Sequence, residues 1–270
     1  MQGIIACRLV GYNNAMCLIV LAWQSHPDYP LILVANRDEY YRRPTADAQF
    51  WADDSRILGG RDLQAGGTWL GVRKDGRWAA VTNYREGATA TAPRSRGELT
   101  SAFLKTEQPL TEYATSVMRE GPRYGGFNLL LGEDDQLLYC SNRQPNPHHL
   151  QAGIHSLSNH LLDTPWPKAQ HAREALAKQI CAVEPDPVEL LACLQRDEPY
   201  PDELLPNTGV GIELERLLSP PFIRSESYGT RCSTVLMKHR SGRIRFLEQG
   251  YQQGGTPGER REFVIEQGNQ

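Results

Sequence analysis

The chain has 270 residues, of which 29 are Lys or Arg and 32 are Asp or Glu, so its formal net charge is -3, and 40% of its residues are hydrophobic. This composition is that of an ordinary globular protein with enough chain to bury a core, and it carries no basic excess that would indicate binding to nucleic acid or to anionic lipid. The longest apolar runs, CLIVLAW and LILVA, are too short to cross a bilayer, so we expect no membrane insertion.

The six cysteines are scattered and form no C-x-x-C pair. Neither a zinc site nor a disulfide framework is therefore indicated, and reduced thiols in a cytoplasmic protein are the expectation. The sequence predicts no metal and no cofactor, and it gives no indication of an oligomeric state.

The first fifteen residues, MQGIIACRLVGYNNA, do not have the pattern of an export signal, because a basic start, a sustained apolar core and a small-residue cleavage site are all missing. We interpret residues 1–15 as an over-extended start or a propeptide. Residues 16–268 are then expected to form a single domain.

In chain order, period-2 and fully apolar runs predict the first strands. Two helices follow, the first punctuated by Gly97 and the second begun by Pro109 and ended by Gly121. The predicted elements are strands at 17–23, 30–36, 68–73 and 78–84, helices within 96–121, strands within 127–142, helices at 165–183 and 186–197, a hairpin at 232–249 and a strand at 258–266.

Strands in blocks, followed by helices in blocks, favour an α+β fold with antiparallel sheets over alternating βαβ units. Residues 195–229, with RDEPYPDELLPNTG and SPPF, look like a long irregular segment that could line a site.

Cys17 stands at the start of the first predicted strand and directly follows Met16. A free cysteine at such a position is often a small core residue. If Met16 is the initiator and is removed, however, Cys17 carries both a thiol and a free α-amine, whose ordinary pKa of about 7.7–8.0 suits a general base near neutral pH. One residue would then supply nucleophile and base.

Several motifs support this second interpretation. They follow one another along the chain: MC at 16–17, ANRDEYYRRP at 35–44, GGRDLQAGGTWLG at 59–71, AAVTNYRE at 79–86, SRGEL at 95–99 and YGTRCSTVLM at 228–237. Together, and in this order, they resemble the NRDE family, which is the family of the eukaryotic transport and Golgi organisation protein 2. Members begin with Met-Cys, so the resemblance favours Met16 as the start.

The family is also distantly similar to the cysteine N-terminal nucleophile hydrolases, the group of penicillin V acylases, bile-salt hydrolases and acyl-CoA:isopenicillin acyltransferases. This similarity implies a four-layer αββα sandwich with two packed antiparallel sheets. It also implies that Asp38 holds the α-amine near the thiol of Cys17. Asn83 in VTNY, Asn159 in LSNHLLDTPWPK and, by a looser match, Arg231 in YGTRCST complete the expected catalytic set.

The residue types suit acyl transfer, which needs a thiolate, a proton acceptor and neutral donors aimed at an oxyanion. The expected substrate-binding residues are Asn36, Arg37, Trp69 and Tyr84, and Arg37 or Arg231 can lower the thiol pKa or hold a carboxylate by two parallel bonds. Structural readings stay open: Asp38 can pair with an arginine in a surface turn, and Asn83 can cap a turn.

Two hypotheses on function follow. The first is a hydrolase or acyltransferase that cleaves an amide or thioester of a small-molecule acyl substrate through Cys17. The second is a non-catalytic protein on the same scaffold that binds and traffics haem, acyl-CoA or lipid, with haem as the possible ligand. Only the enzyme needs a free amine on Cys17.

Overall fold

The structure is a computed structural model, and it describes residues 16–86 and 92–266. The prediction for residues 1–15 therefore falls outside the described residues. Within this part of the chain the strands are β1 (Met16–Trp23), β2 (Leu31–Tyr40), β3 (Thr45–Phe50), β4 (Ile57–Asp62), β5 (Leu70–Arg73), β6 (Trp78–Asn83), β7 (Phe127–Glu133), β8 (Gln136–Ser141), β9 (His148–His149), β10 (Gly153–Leu157), β11 (Tyr228–Lys238), β12 (Ile244–Gln252) and β13 (Thr256–Ile265).

The helices are short and begin with favourable residues, such as an acidic Glu98 in the first turn of the first helix and a proline at the first position of the third. None of the described helices is long and apolar enough to cross a membrane. Their bounds are α1 (Gly97–Lys105), α2 (Leu110–Glu120), α3 (Pro167–Gln179), α4 (Pro187–Leu190) and α5 (Ile212–Leu217).

The strands form two sheets in which neighbouring strands are antiparallel. The first sheet has the order β10-β1-β2-β11-β12-β13, and the second sheet has the order β3-β4-β5-β6-β7-β8-β9. In the first sheet β1 and β2 are central, because β10 and β11 cover their outer sides. The pairing of β1 with β10 begins only at Ile19, so the start of β1, with Cys17, is paired on one side, by β2.

The two sheets pack face to face through one apolar core, and helices cover both outer faces. Side chains alternate across a strand, so one set of β1 and β2 residues enters the core between the sheets and the other set meets α3. The core between the sheets includes Ile19, Leu33, Leu58, Val72, Leu130 and Phe246. Leu18 and Val34 pack under α3 against Leu176, and Leu129 of the second sheet packs under α1 and α2 against Phe103 and Val117.

This arrangement confirms the predicted α+β class and the four-layer αββα sandwich of two packed antiparallel sheets. Most predicted elements lie within a few residues of the observed ones. The predicted helix at 186–197 is only partly helical, since α4 passes into a 3-10 turn at Leu191–Leu194. The irregular segment 195–229 contains α5, and β3 and β4 were not predicted because polar residues and glycines interrupt their apolar pattern.

One boundary matters for the site. The second strand was predicted to end at residue 36, but β2 continues to Tyr40. The NRDE segment therefore lies within a strand, paired with β1 on one side and β11 on the other, and not in a surface turn.

Candidate functional site

The pairing of three strands decides which predicted residues meet. Cys17 of β1 lies opposite Arg37 of β2, and Arg37 lies opposite Cys232 of β11. Because side chains alternate along a strand, these three face the core between the two sheets, whereas Asn36 and Asp38 face the helical layer. The NRDE segment thus places side chains on both faces of the first sheet.

Cys17 is almost fully enclosed, with 7% of its surface exposed. The pKa of its thiol is raised to about 12, mainly by burial and also by the charge of Asp38, while Arg37 acts to lower it. The backbone N–H of Asp38 also donates a hydrogen bond to the thiol, which favours the thiolate. In the continuous chain the thiol is therefore protonated and weakly nucleophilic at neutral pH.

Asp38 is fully buried on the helical side of β2 beside Lys168. Its Oδ1 accepts a hydrogen bond of 2.7 Å from Thr230 Oγ1, while its Oδ2 has no hydrogen-bond partner among the described residues. Burial raises the pKa of Asp38 to about 6, and the neighbouring ammonium of Lys168 is the largest influence that lowers it. An unpartnered carboxylate oxygen in such a place is ready to accept a bond from a cationic donor.

Lys168 was not predicted as a site residue. Its Nζ donates to the backbone oxygen of Leu218 at 3.0 Å, and burial lowers its pKa to about 7. The sequence did contain an indication of its importance. A lysine in the first turn of a helix lies at the positive end of the helix dipole, which is unfavourable unless a negatively charged group lies nearby.

The two predicted asparagines meet. Nδ2 of Asn159 donates to the backbone oxygen of Asn83 at 3.0 Å. Ser158, which sequence reasoning missed, shares its hydroxyl hydrogen between the backbone oxygen of Cys17 at 3.3 Å and Oδ1 of Asn159 at 3.2 Å. The segment after β10 therefore joins both asparagines to the start of β1.

Arg231 lies where the register of β11 against β2 shifts. Its Nη1 donates to the backbone oxygens of Tyr40, Tyr41 and Arg43, so it fixes the turn that follows β2. Arg231 lies close to Arg37 and two strands away from Cys17, so the structure does not bring it to the thiol.

Asn36 is not brought to the thiol. Its Nδ2 donates to the backbone oxygens of Leu194 and Pro221 at 3.0 and 2.9 Å, and its Oδ1 accepts from Ser233 Oγ at 2.6 Å. The strand period explains this, since residue 36 must face away from residue 37. In this structure its polar atoms hold the irregular segments against β2.

The predicted aromatic residues differ in position. The guanidinium of Arg37 lies 4.2 Å from the centre of the Trp69 ring, which is a cation-π contact. Trp69 therefore packs against Arg37, the residue opposite Cys17. Tyr84 is half-buried and lies with its ring 4.9 Å from that of His160, beside the joined asparagines.

A cavity of about 250 Å³ opens beside Arg37, between β2, β3, β11 and the far ends of β12 and β13. The charged and aromatic residues that line it are Arg37, Asp47, Trp69, Arg231, Glu248, Tyr251 and Glu259. The five described cysteines are free thiols, and one of them, Cys232, also lines this cavity. Within residues 16–86 and 92–266 no group of three His, Cys, Asp or Glu side chains is placed to hold a metal ion.

Comparison with known proteins places the chain near one family. The family model for Transport and Golgi organisation 2 matches residues 16–253. The Transport and Golgi organization protein 2 homolog of Homo sapiens is 35% identical over 256 residues, which cover 87% of this chain and 92% of the relative. The homologue of Mus musculus is 34% identical over 255 residues with the same coverage, and the Transport and Golgi organization protein 2 of Drosophila melanogaster is 27% identical over 263 residues, again with the same coverage.

Among solved structures, the Caenorhabditis elegans orthologue of N-acylethanolamine-hydrolyzing acid amidase overlays with a TM-score of 0.43 at 12% identity. The overlay covers 82% of this chain and 92% of that one.

Proposed function

The chain belongs to the Transport and Golgi organisation 2 family, as its motifs predicted, and from the surroundings of Cys17 we propose that it is a hydrolase or acyltransferase whose nucleophile is the Cys17 thiol. The observation that carries the proposal is the buried Oδ2 of Asp38, which accepts no hydrogen bond from the described residues. Met16 pairs with Asp38 across β1 and β2, so an α-amine on Cys17 would lie near this carboxylate, whose Oδ2 has no partner in the described part of the chain.

The proposal requires that the residues before Cys17 are absent from the active form. A free α-amine has an ordinary pKa of about 7.7–8.0 and acts as a base near neutral pH, which the amide nitrogen of a continuous chain cannot do. Asp38 would hold this amine in place, and Lys168 would keep Asp38 ionised. Once protonated, the ammonium beside the sulfur would favour the thiolate and so lower the pKa of the thiol.

The reaction follows from these groups. The amine accepts the thiol proton as Sγ attacks the carbonyl carbon of an amide or thioester, and the side-chain amides of Asn83 and Asn159 donate to the resulting oxyanion. The protonated amine gives its proton to the leaving nitrogen or sulfur, and a thioester to Cys17 remains. Water then releases the acid, or a second nucleophile takes the acyl group.

The test compares two forms of the protein, one with the whole chain and one beginning at Cys17. Each is treated with a thiol-reactive acyl ester at pH 7.5 and analysed by intact mass and peptide mapping, with Cys17→Ala as the control. We expect the form that begins at Cys17 to be acylated at that residue at least about 100-fold faster than the whole chain, and the alanine variant to gain no rapid acylation. Equal, slow labelling of both forms would exclude Cys17 as the nucleophile.

Two observations favour the second candidate function, the binding of haem or acyl-CoA without catalysis. In the continuous chain Cys17 is buried with a raised thiol pKa, while a separate cavity stays open beside Arg37. Titration of the whole chain with haemin and with an acyl-CoA tests this candidate directly. For either function we propose a reducing compartment such as the cytoplasm, which the free thiols support.

A further inference from the structure

We propose that the cavity beside Arg37 is a binding site for the carboxylate or phosphate group of a small organic molecule, held between Arg37 and Arg231 and contacted by the side chain of Glu248. The site does not require Cys17 to react, so it goes beyond the proposed function and is tested separately. If both hold, the substrate is an organic anion whose acyl group reaches the thiol next to Arg37.

Two guanidinium groups face this cavity at close range. Arg37 is buried, and its charge is, after burial itself, the strongest influence lowering the pKa of Arg231. Two like charges in a partly desolvated place repel one another, and an anion between them removes that cost. A planar carboxylate or a phosphate suits such a pair, because each guanidinium offers two parallel donors.

The contacts of these arginines to the protein leave room for a ligand. Arg37 makes a long contact of 3.8 Å with Glu39 and a long hydrogen bond of 3.4 Å to Thr45 Oγ1. The three hydrogen bonds from Arg231 to backbone oxygens all leave from its Nη1. Neither guanidinium is therefore neutralised by a short carboxylate contact among these.

The acidic residues at the rim, Asp47 and Glu259, oppose this charge only weakly. Glu259 has Arg261 as a partner at 2.9 Å, and the side chains of Glu259 and Asp47 are 62% and 53% exposed, so solvent screens both charges. On the inner wall of the cavity, the charge then depends on the protonation of Glu248.

Glu248 is buried in the cavity wall, and only one of its two carboxylate oxygens accepts a hydrogen bond. Its Oε1 accepts the backbone N–H of Ala48 at 2.6 Å, while its Oε2 is buried and has no hydrogen-bond partner among the described residues. Burial raises the pKa of Glu248 to about 7, so near and below neutral pH it is protonated. Its O–H can then donate to an anion, and the cavity wall keeps the positive charge of both arginines.

The pH dependence of binding follows from the groups around Glu248. Asp47 raises its pKa and Arg37 lowers it, while Cys232 and Arg261 complete the charged or titratable groups that face it. Once the pH exceeds about 7, Glu248 becomes an anion and repels the ligand. Affinity for an anion that stays fully ionised should therefore fall between pH 6 and pH 8.

The cavity walls also suggest what the anion is attached to. Trp69 and Tyr251 offer aromatic surface, and a volume of about 250 Å³ is close to that of small-molecule sites. Benzoate is a suitable probe for a carboxylate, and sulfate is a suitable probe for a tetrahedral dianion. Both stay ionised between pH 6 and pH 8, so any change of affinity in that range belongs to the protein.

The experiment is a calorimetric titration of the whole chain with each probe at pH 6 and pH 8. The variants are Arg37→Gln, Glu248→Gln and, as a matched control, Arg61→Gln. Arg61 also stacks 4.2 Å from a tryptophan ring, that of Trp51, but does not line the cavity. Thermal unfolding of each variant shows whether it is folded.

We expect at least one probe to bind the unchanged chain, about tenfold more weakly at pH 8 than at pH 6, because the protonated fraction of Glu248 falls by about that factor. Arg37→Gln should lose about tenfold or more in affinity, and Arg61→Gln should bind as the unchanged chain does. Glu248→Gln should remove the pH dependence, because glutamine donates at every pH. Tighter binding of benzoate would identify a carboxylic acid, and tighter binding of sulfate a phosphate ester.

The site would be disproved if neither probe binds, or if Arg37→Gln and Arg61→Gln weaken binding equally. A chain that binds benzoate but whose Cys17 is never acylated overturns the enzyme and leaves this site intact. A chain whose Cys17 is acylated rapidly in the form that begins there, but which binds neither probe, overturns this site and leaves the enzyme intact.

Discussion

Arg85 and Glu215 form an ion pair inside the protein, with Nη1 2.6 Å from Oε2 and side chains that are only 2% and 3% exposed. Oε1 of Glu215 accepts two further hydrogen bonds from Thr208, and the guanidinium of Arg85 lies 4.7 Å from the ring centre of Trp166. The pair therefore joins the segment after β6 to the start of α3 and to α5.

Removal of one charge from this pair should destabilise the fold strongly. Glu215→Gln leaves the buried guanidinium of Arg85 without its counter-ion, which costs about 3–5 kcal/mol in the free energy of unfolding. Glu213→Gln on the same helix is the matched control, because Glu213 is exposed and solvent screens its pairing with Arg216, so its removal should change stability little. Urea unfolding at pH 7 measures both, and equal small effects would contradict a buried pair.

Glu248 should make stability depend on pH. Folding raises its pKa from 4.5 to about 7, so the folded state binds the proton more tightly. Its contribution is fully present below about pH 4.5 and is lost as the pH rises through about 7. Relative to the unchanged chain, Glu248→Gln should thus gain on the order of 2–3 kcal/mol between pH 5 and pH 8.

The control for this pH effect is Glu259→Gln, since Glu259 lines the same cavity but its side chain is 62% exposed. Urea unfolding at pH 5 and pH 8 should give the same difference from the unchanged chain at both pH values for this control. A Glu248→Gln variant that behaves in the same way would show that Glu248 titrates near its ordinary pKa.

The thiol of Cys17 should be inert in the whole chain. Burial raises its pKa to about 12, whereas Cys181 is exposed. Because only the thiolate alkylates, iodoacetamide at pH 8 should modify Cys181 about 100-fold or more faster than Cys17. Peptide mapping after timed quenching measures both rates in one sample, and rapid alkylation of Cys17 would mean that the start of β1 opens in solution.

Asn36 was predicted to bind substrate, but its contacts indicate a structural role, and a substitution can distinguish the two roles. Asn36→Ala leaves the backbone oxygens of Leu194 and Pro221 buried without donors, which should cost about 2–4 kcal/mol in urea unfolding. The exposed Asn146→Ala should change stability by less than about 0.5 kcal/mol. If Asn36 contacts substrate instead, its variant in the form that begins at Cys17 would be acylated more slowly while stability stays close to normal.

The pattern of the sequence was sufficient to predict most elements near the site. Apolar runs and punctuating residues placed β1, β6 and the first helices within a few residues, because local propensity and burial agree there. The end of β2 was missed, since NRDE is polar and reads as a turn. Only the pairing with β1 and β11 keeps those polar residues extended and buried.

Residues of the candidate site could be predicted from the sequence only where they belong to a recognisable motif. Cys17, Asn83 and Asn159 came from motifs, and the structure joins them through Ser158, which no motif marked. Lys168 and Glu248 were not found, because their importance comes from burial beside groups that are remote along the chain.

The sequence by itself determined the fold class, the family and the cysteine at the start of the first strand, since these depend on local pattern and motif. Only the tertiary structure decided which neighbours share a face. Strand alternation sends Arg37 toward Cys17 and the cavity, and it sends Asn36 and Asp38 toward the helices. The packing of the layers then decides which charges lose their water, and that desolvation sets the pKa of Asp38, Lys168 and Glu248.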